Sequence, residues 1–347
     1  MKAHPALLIL GACTGAVAER PKPGVETARS ELAADAMLAD SASICWQRFS
    51  RGLALAAGCT TLGVTSRVDT VRDTVRLPAP QATSRPFAFG PFAMYQGADA
   101  AKGFTAGLSY ADPKGLLALL ARLRANKQSA FLALTGGAHE QYITDGKFDL
   151  NKWKAGTDRY SAPILKAALE LGVADGTVLG YNMLDEPEHR SWGGALTRAT
   201  VDSMAAYCKA VLPFMPCGVG VDYRWRAAER YKVVDFIIAQ TWMERQSAES
   251  FRDSAVAMAR RNGVALVLSV NLFGAPQSPG CEPRGKQCLM FPADVRHWGR
   301  SFAAEPYACA VLMWRYEAGM WSRSEYQEQF RDVANVAGQR VAKSCRR

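Results

Sequence analysis

Histidine is scarce: the 347 residues hold four, and none stands in a clustered motif. With cysteines at the wrong spacing, this argues against a zinc centre. No glycine-rich phosphate fingerprint follows any strand-like run, which leaves nucleotide chemistry unsupported. No serine sits in a nucleophile elbow and no Cys–His arrangement is evident, so acyl-transfer hydrolysis is disfavoured. Internal repeats and low-complexity tracts are also missing, and one domain accounts for everything after residue 86. Beyond the N-terminal region no apolar run approaches the length of a membrane span. The net charge is +10, yet the basic residues are scattered. Their densest group, Arg224, Arg226, Arg230 and Lys232, is interleaved with Trp225 and Tyr231. It matches no nucleic-acid motif, so no nucleic-acid partner is expected. A solvated surface is the plain reading, and affinity for acidic polysaccharides or an anionic surface is the alternative.

What the chain does have is a succession of strand-like runs: 87–96, 104–110, 130–135, 178–184, 217–223, 236–242, 265–272 and 309–316. Most are near-continuously apolar, as parallel strands covered on both faces are. Between them lie helical patterns at 113–126, 161–171, 196–211, 247–262 and 292–304, with 324–344 to close. The first of these begins at Pro113 and carries leucines at 116, 117, 119, 120 and 123, an apolar stripe entered through proline. Eight β/α units in about 260 residues match the size of a TIM barrel. The expected fold is therefore a single (β/α)8 barrel over 87–347. The weakest link is a very short helix near 98–102, and a doubly wound sheet is the alternative.

Residues 1–59 read as export signals. Leu10-Gly11-Ala12-Cys13 resembles a bacterial lipobox, and Ala16-Val17-Ala18 a conventional cleavage site. A second candidate runs from Arg48 through an apolar stretch to Cys59, with 60–86 as a polar tether. The residues between the two resemble neither core nor signal, and a start assigned upstream of the true one is one explanation. If Cys59 carries the lipid, six cysteines remain, at 208, 217, 281, 288, 309 and 345. An even number suits disulfides in an oxidising compartment, although six allow fifteen pairings. Cys281 with Cys288 is the first local pair expected, and Cys208 with Cys217 the next. Cys309, in an apolar strand, reads equally as a buried thiol. The expectation is an exported envelope protein, monomeric, touching membrane only through a lipid anchor.

The run Gly180-Tyr181-Asn182-Met183-Leu184-Asp185-Glu186-Pro187 stops abruptly at two carboxylates and a proline. In a barrel this is the C-terminal end of strand four, on the rim where catalytic side chains gather. An acidic helix start is the bland alternative. Other strand ends would bring Tyr95 and Gln96, Asp222 to Arg224, Gln240, Trp242 and Glu244, Asn271, and Trp314 to Glu317. Glu188 adds a further carboxyl group, and His139 and Glu140 lie just beyond strand three. Carboxylates with aromatic platforms form a sugar-handling set. One carboxylic acid can protonate a glycosidic oxygen, while a second attacks, activates water or stabilises positive charge. Of the remaining residues, Asp149 or Asn151 reads as a helix cap, Trp298 as a packing residue, and Trp192 as a residue that flanks the cleft or packs.

The order of elements and the Asp-Glu-Pro closing strand four resemble clan A glycoside hydrolases, over roughly residues 87–340. Those are TIM barrels whose strand four ends in Asn-Glu-Pro or a close variant. The resemblance implies Glu186 as general acid/base and Trp314 as a sugar platform. Two positions depart from the pattern: Asp185 stands where that clan has Asn, and strand seven ends in Ser269-Val270-Asn271-Leu272 in place of a nucleophilic Glu. Three readings follow. A second carboxylate comes from another strand, with Asp222, Glu244 and Glu317 as candidates. Or the Asp185–Glu186 pair is similar to that of barrel hexosaminidases, in which Asp orients the substrate's acetamido group. Or the site binds glycans without cleaving them. The expected protein is a glycosidase without a cofactor, acting on an oligo- or polysaccharide. Asp185 would tune Glu186, Glu317 or Glu244 would supply the second carboxylate, and Tyr95, Asp222, Gln240, Trp242, Asn271, Trp314 and Tyr316 would hold the sugar.

Overall fold

The computed structural model describes residues 85–94, 103–136, 140–194, 196–226, 228–241, 246–274 and 288–347, together with the backbone of 8–12, 41–50, 53–63, 281–284 and 287. The chain divides into two compact units, Met1–Arg76 and Leu77–Arg347. In the first, Leu8–Ala12, Ser41–Ser50 and Leu53–Gly63 form an antiparallel three-stranded sheet. The side chain of Cys59 lies outside the described residues.

The second unit is a barrel of eight parallel strands: β1 (Ala88–Pro91), β2 (Ala106–Tyr110), β3 (Ser129–Ala133), β4 (Val178–Asp185), β5 (Cys217–Val221), β6 (Phe236–Gln240), β7 (Ala265–Asn271) and β8 (Ala308–Trp314). Every strand lies beside its sequence neighbours, and β8 pairs with β1. The seam between β1 and β2 is closed by the Thr105 N–H to the Phe89 carbonyl at 3.0 Å and the Met94 N–H to the Leu108 carbonyl at 3.1 Å. A Cβ on Gly90 would collide with the Ala106 carbonyl oxygen, so the seam closes because that side chain is absent. Closure rules out the doubly wound alternative, whose strand order reverses and whose sheet keeps two edges.

Helices α1 (Leu116–Ala125), α2 (Leu150–Asp158), α3 (Pro163–Ala174), α4 (Arg198–Val211), α5 (Ala248–Asn262) and α6 (Pro292–Ala303) cover the outside, with α7 (Ala318–Trp321) and α8 (Ser324–Gly338) after β8. Asp149 caps α2 by accepting from Asn151 N–H and Lys152 N–H, and Trp298 packs against Phe251 and Phe302 as expected. Among the described residues no helix joins β5 to β6; turns at 223–226 do so. The 98–102 segment lies outside the described residues. No described helix is long and apolar enough to cross a membrane.

Two apolar layers result. One joins the outer faces of the strands to the helices. The other contains Phe92, Leu108, Phe131, Phe236, Ile238, Val267 and Leu312. Because these come from strands all round the ring, they fill its interior. The rings of Phe131 and Phe236 meet there with centroids 5.0 Å apart. The Phe236 ring fits because Gly180 and Gly218 have no Cβ to strike it.

Cys208 and Cys217 are bridged, joining α4 to the start of β5. Cys309 is not the free buried thiol that its apolar strand allowed. It is bridged to Cys345, tying the C-terminal tail to β8. Cys345 packs in the interior cluster with Phe131 and Phe236, so the tail covers one end of the barrel. Cys288 is disulfide-bonded, while the side chain of Cys281, its expected partner, lies outside the described residues.

Candidate active site at the end of strand four

A cavity of about 170 Å³ opens at the C-terminal end of β4, on the β1–β4 side of the rim. Phe92, Leu108, Ala133 and Leu184 form apolar walls, and Tyr110, Thr135, Tyr142, Asn182, Asp185 and Trp192 supply polar groups. Thr135 is fixed at the end of β3 by hydroxyl bonds: the Tyr142 hydroxyl donates to its carbonyl at 2.5 Å, and the Tyr181 hydroxyl to its Oγ1 at 3.1 Å. Burial raises the Tyr142 phenol, with Arg159 and Thr135 opposing, so these hydroxyls stay protonated donors.

Asp185 ends β4 over Gly220 of β5, where a Cβ would strike its Oδ1. That oxygen is buried and has no hydrogen-bond partner among the described residues, and the same holds for Asn182 Oδ1. Burial first, and then the charge of Glu186, pushes the Asp185 carboxyl up to about 7. Glu186 follows with φ +47°, in the left-handed region that a non-glycine residue seldom enters. Its N–H donates to the Gly220 carbonyl at 2.9 Å. Burial raises its carboxyl too, opposed by His189. Glu188 accepts the Asp222 N–H at 2.7 Å, and its Oε2 is buried without a partner among the described residues. Burial lifts it to about 7, opposed by the Asp222 N–H, while the charges of Glu186 and Asp222 act upward. Three carboxyl groups thus share one strand end, and their mutual repulsion disfavours simultaneous ionisation. A carboxylic acid held neutral near pH 7 can donate a proton.

The other expected site residues are spread round the rim. Asp222 is engaged by Arg224 in a two-pronged ion pair at 2.9 and 2.5 Å. Gln240 and Asn271 are buried at the ends of β6 and β7, and Asn271 Oδ1 accepts the Phe273 N–H at 3.3 Å. Trp314 is half-buried, edge-on to Phe273 at 6.0 Å, and is joined to Arg315 by a cis peptide. Tyr316 stacks on Trp321 at 5.7 Å, and Glu317 occupies the N-cap position of α7. Tyr95, Trp242, Glu244 and His139 lie outside the described residues. Of the expected set, the structure brings Asp185 and Glu186 together, with Asp222 linked to them through Glu188.

Asn182, Thr135, Tyr110 and Tyr142 were not among the expected site residues. Asn182 had a visible signal, being the single amide in an apolar strand. Tyr110 and Thr135 close the strand-like runs 104–110 and 130–135, a signal that was there to be used, whereas Tyr142 reaches the cavity from the short helix Glu140–Tyr142 and had none. Among the described residues no cluster of His, Cys, Asp or Glu could hold a metal ion.

No protein-family model and no curated protein matches this sequence. Among solved structures, the chain is similar to xylanase 10B from Thermotoga maritima, with 11% identity and a TM-score of 0.48 over 75% of this chain and 98% of that one. It is also similar to a glycoside hydrolase family 5 mannosidase from Rhizomucor miehei, at 10% identity and TM-score 0.43 over 70% and 88% of the two chains. The GH39 enzyme from Xanthomonas axonopodis pv. citri aligns at 12% identity and TM-score 0.47 over 69% and 60%. At such identities the likeness is one of fold.

Proposed function

We propose that this protein is a glycoside hydrolase in which Glu186 is the general acid/base and Asp185 orients or tunes it. The observation that carries the reading is the adjacent pair of partly buried carboxyl groups at the end of β4, beside a cavity where Asp185 Oδ1 and Asn182 Oδ1 have no hydrogen-bond partner among the described residues. Folding alone does not favour such a pair, since uncompensated buried carboxyls cost stability. Acid catalysis of glycosidic cleavage needs one of them protonated. Glu317 or Glu244 is the second carboxylate if one acts from another strand. The space beside Asp185 supports a second reading, substrate assistance, because the cavity of about 170 Å³ exceeds the volume of an acetamido group. The same space weighs against a noncatalytic glycan binder. Trp314, Trp242 and Tyr316 would shape the sugar subsite. The disulfides accord with an oxidising compartment, and lipid attachment at Cys59 belongs to this proposal.

The test is hydrolysis of a panel of aryl glycosides, N-acetylhexosaminides included, by the full chain and by Glu186→Gln. Turnover that falls at least about a hundredfold in the variant supports the assignment. The preferred sugar then separates substrate assistance from a second carboxylate. No turnover, with glycan binding unchanged in Glu186→Gln, would replace it with the binder reading.

A further inference from the structure

Trp192 has its polar atom turned toward the backbone of the carboxyl pair. It closes the short helix Arg190–Trp192 and is 4% exposed. Its indole N–H is shared between the carbonyl of Asp185 at 3.1 Å and that of Glu186 at 3.0 Å. These two carbonyls lie on either side of the Glu186 φ and ψ bonds. A left-handed glutamate persists only where its surroundings over-determine it. The Glu186 N–H to the Gly220 carbonyl, the His189 N–H to the Glu186 carbonyl, and the Leu196 N–H to the Pro187 carbonyl hold the turn at 2.9, 2.8 and 2.8 Å. Those three are main-chain bonds that most sequences could make, whereas the forked bond depends on a side-chain donor, here the Trp192 indole. The ring is itself fixed from outside. Phe148 meets it edge-on at 5.7 Å and 86°, and Gly193 packs so closely on the Gly146 carbonyl that a Cβ would collide. The 143–148 hairpin thereby bears on the carboxyl pair through one side chain.

We propose that Trp192 is a positioning residue whose indole N–H holds the Asp185 and Glu186 carbonyls and so sets the left-handed turn that brings the two carboxyl groups together. The inference rests on the reading of that pair as catalytic, and its test separates the two.

The decisive variant replaces Trp192 with 3-benzothienylalanine, which keeps the ring's shape and removes the N–H; Trp192→Phe is its companion. Two measurements are made on the full chain. One is the carbon-13 NMR titration of the Asp185 and Glu186 carboxyls. The other is kcat and KM on the best glycoside of the panel. The remaining charged groups facing the pair, Glu188, His189 and Asp222, are untouched in both variants. The expected result is an Asp185 midpoint lowered by about one unit as the carboxyls move apart. With it, kcat falls about tenfold or more while KM stays within about threefold. An unchanged midpoint and unchanged kcat in the benzothienylalanine variant would overturn the proposal. So would a raised KM at constant kcat, which would mean the indole binds substrate. If the parent protein hydrolyses no glycoside, the hydrolase reading fails by itself. The NMR midpoint then decides the positioning role, for or against.

Discussion

Replacing Asp185 by asparagine should make the protein more stable, and increasingly so as the pH rises. An unfolded aspartate ionises near its ordinary value of 3.8, whereas in the folded barrel the Asp185 carboxyl holds its proton to about 7. Between those values the native state binds more protons than the unfolded one. Stability therefore falls with rising pH across that window and levels off above it. Asparagine has nearly the same shape and cannot ionise, so the variant escapes the loss. A displacement of about three units corresponds to a ceiling of about 4 kcal/mol. Because Asp185 keeps some solvent contact, on the order of 2 kcal/mol is the sounder figure. Urea unfolding of both proteins with disulfides intact, from pH 4 to 9, measures it. The two curves should run together near pH 4 and separate to a plateau above pH 7. A difference independent of pH would show that the carboxyl is not held neutral, and the electrostatic account of the site would go with it.

Gly218→Ala should lower stability by about 1–3 kcal/mol, because the new methyl group meets the Phe236 ring inside a filled barrel; thermal unfolding reads this directly. Loss of the Cys309–Cys345 bridge in the double serine variant frees a loop of sequence separation 36. Loop-closure entropy then predicts about 3–4 kcal/mol of destabilisation, visible as a lower denaturant midpoint at an unchanged carboxyl titration.

The barrel was legible because parallel strands buried on both faces must be apolar throughout, and each of the eight runs overlaps a strand. Their ends were less so. The run at 217–223 continues past Val221 because Tyr223 is buried as a turn residue rather than as a strand residue. The helix-free β5–β6 connection was legible too, since no helical pattern stands between the runs 217–223 and 236–242. Cys208–Cys217 could be read from nine residues of separation between a helix end and a strand start. Cys309–Cys345 could not, because nothing local says that the tail returns to the barrel. At the site, Asp185 and Glu186 stood out by their abruptness after an apolar run. Which side of the rim is hollow did not, because Tyr142 and Trp192 reach it from short helical turns outside the eight β/α units, with Phe148 packed on Trp192.

The backbone of Glu186 also bears on how this position tolerates change. At φ +47° glycine would be at ease and asparagine nearly so. A large acidic side chain gains nothing there, and its carboxyl group is half-buried. A sequence drifting under selection for folding alone would be drawn toward glycine at 186, shedding strain and charge in one step. If Glu186 is the acid proposed above, glutamate at this point is a cost in stability retained for a fixed, partly desolvated carboxyl group.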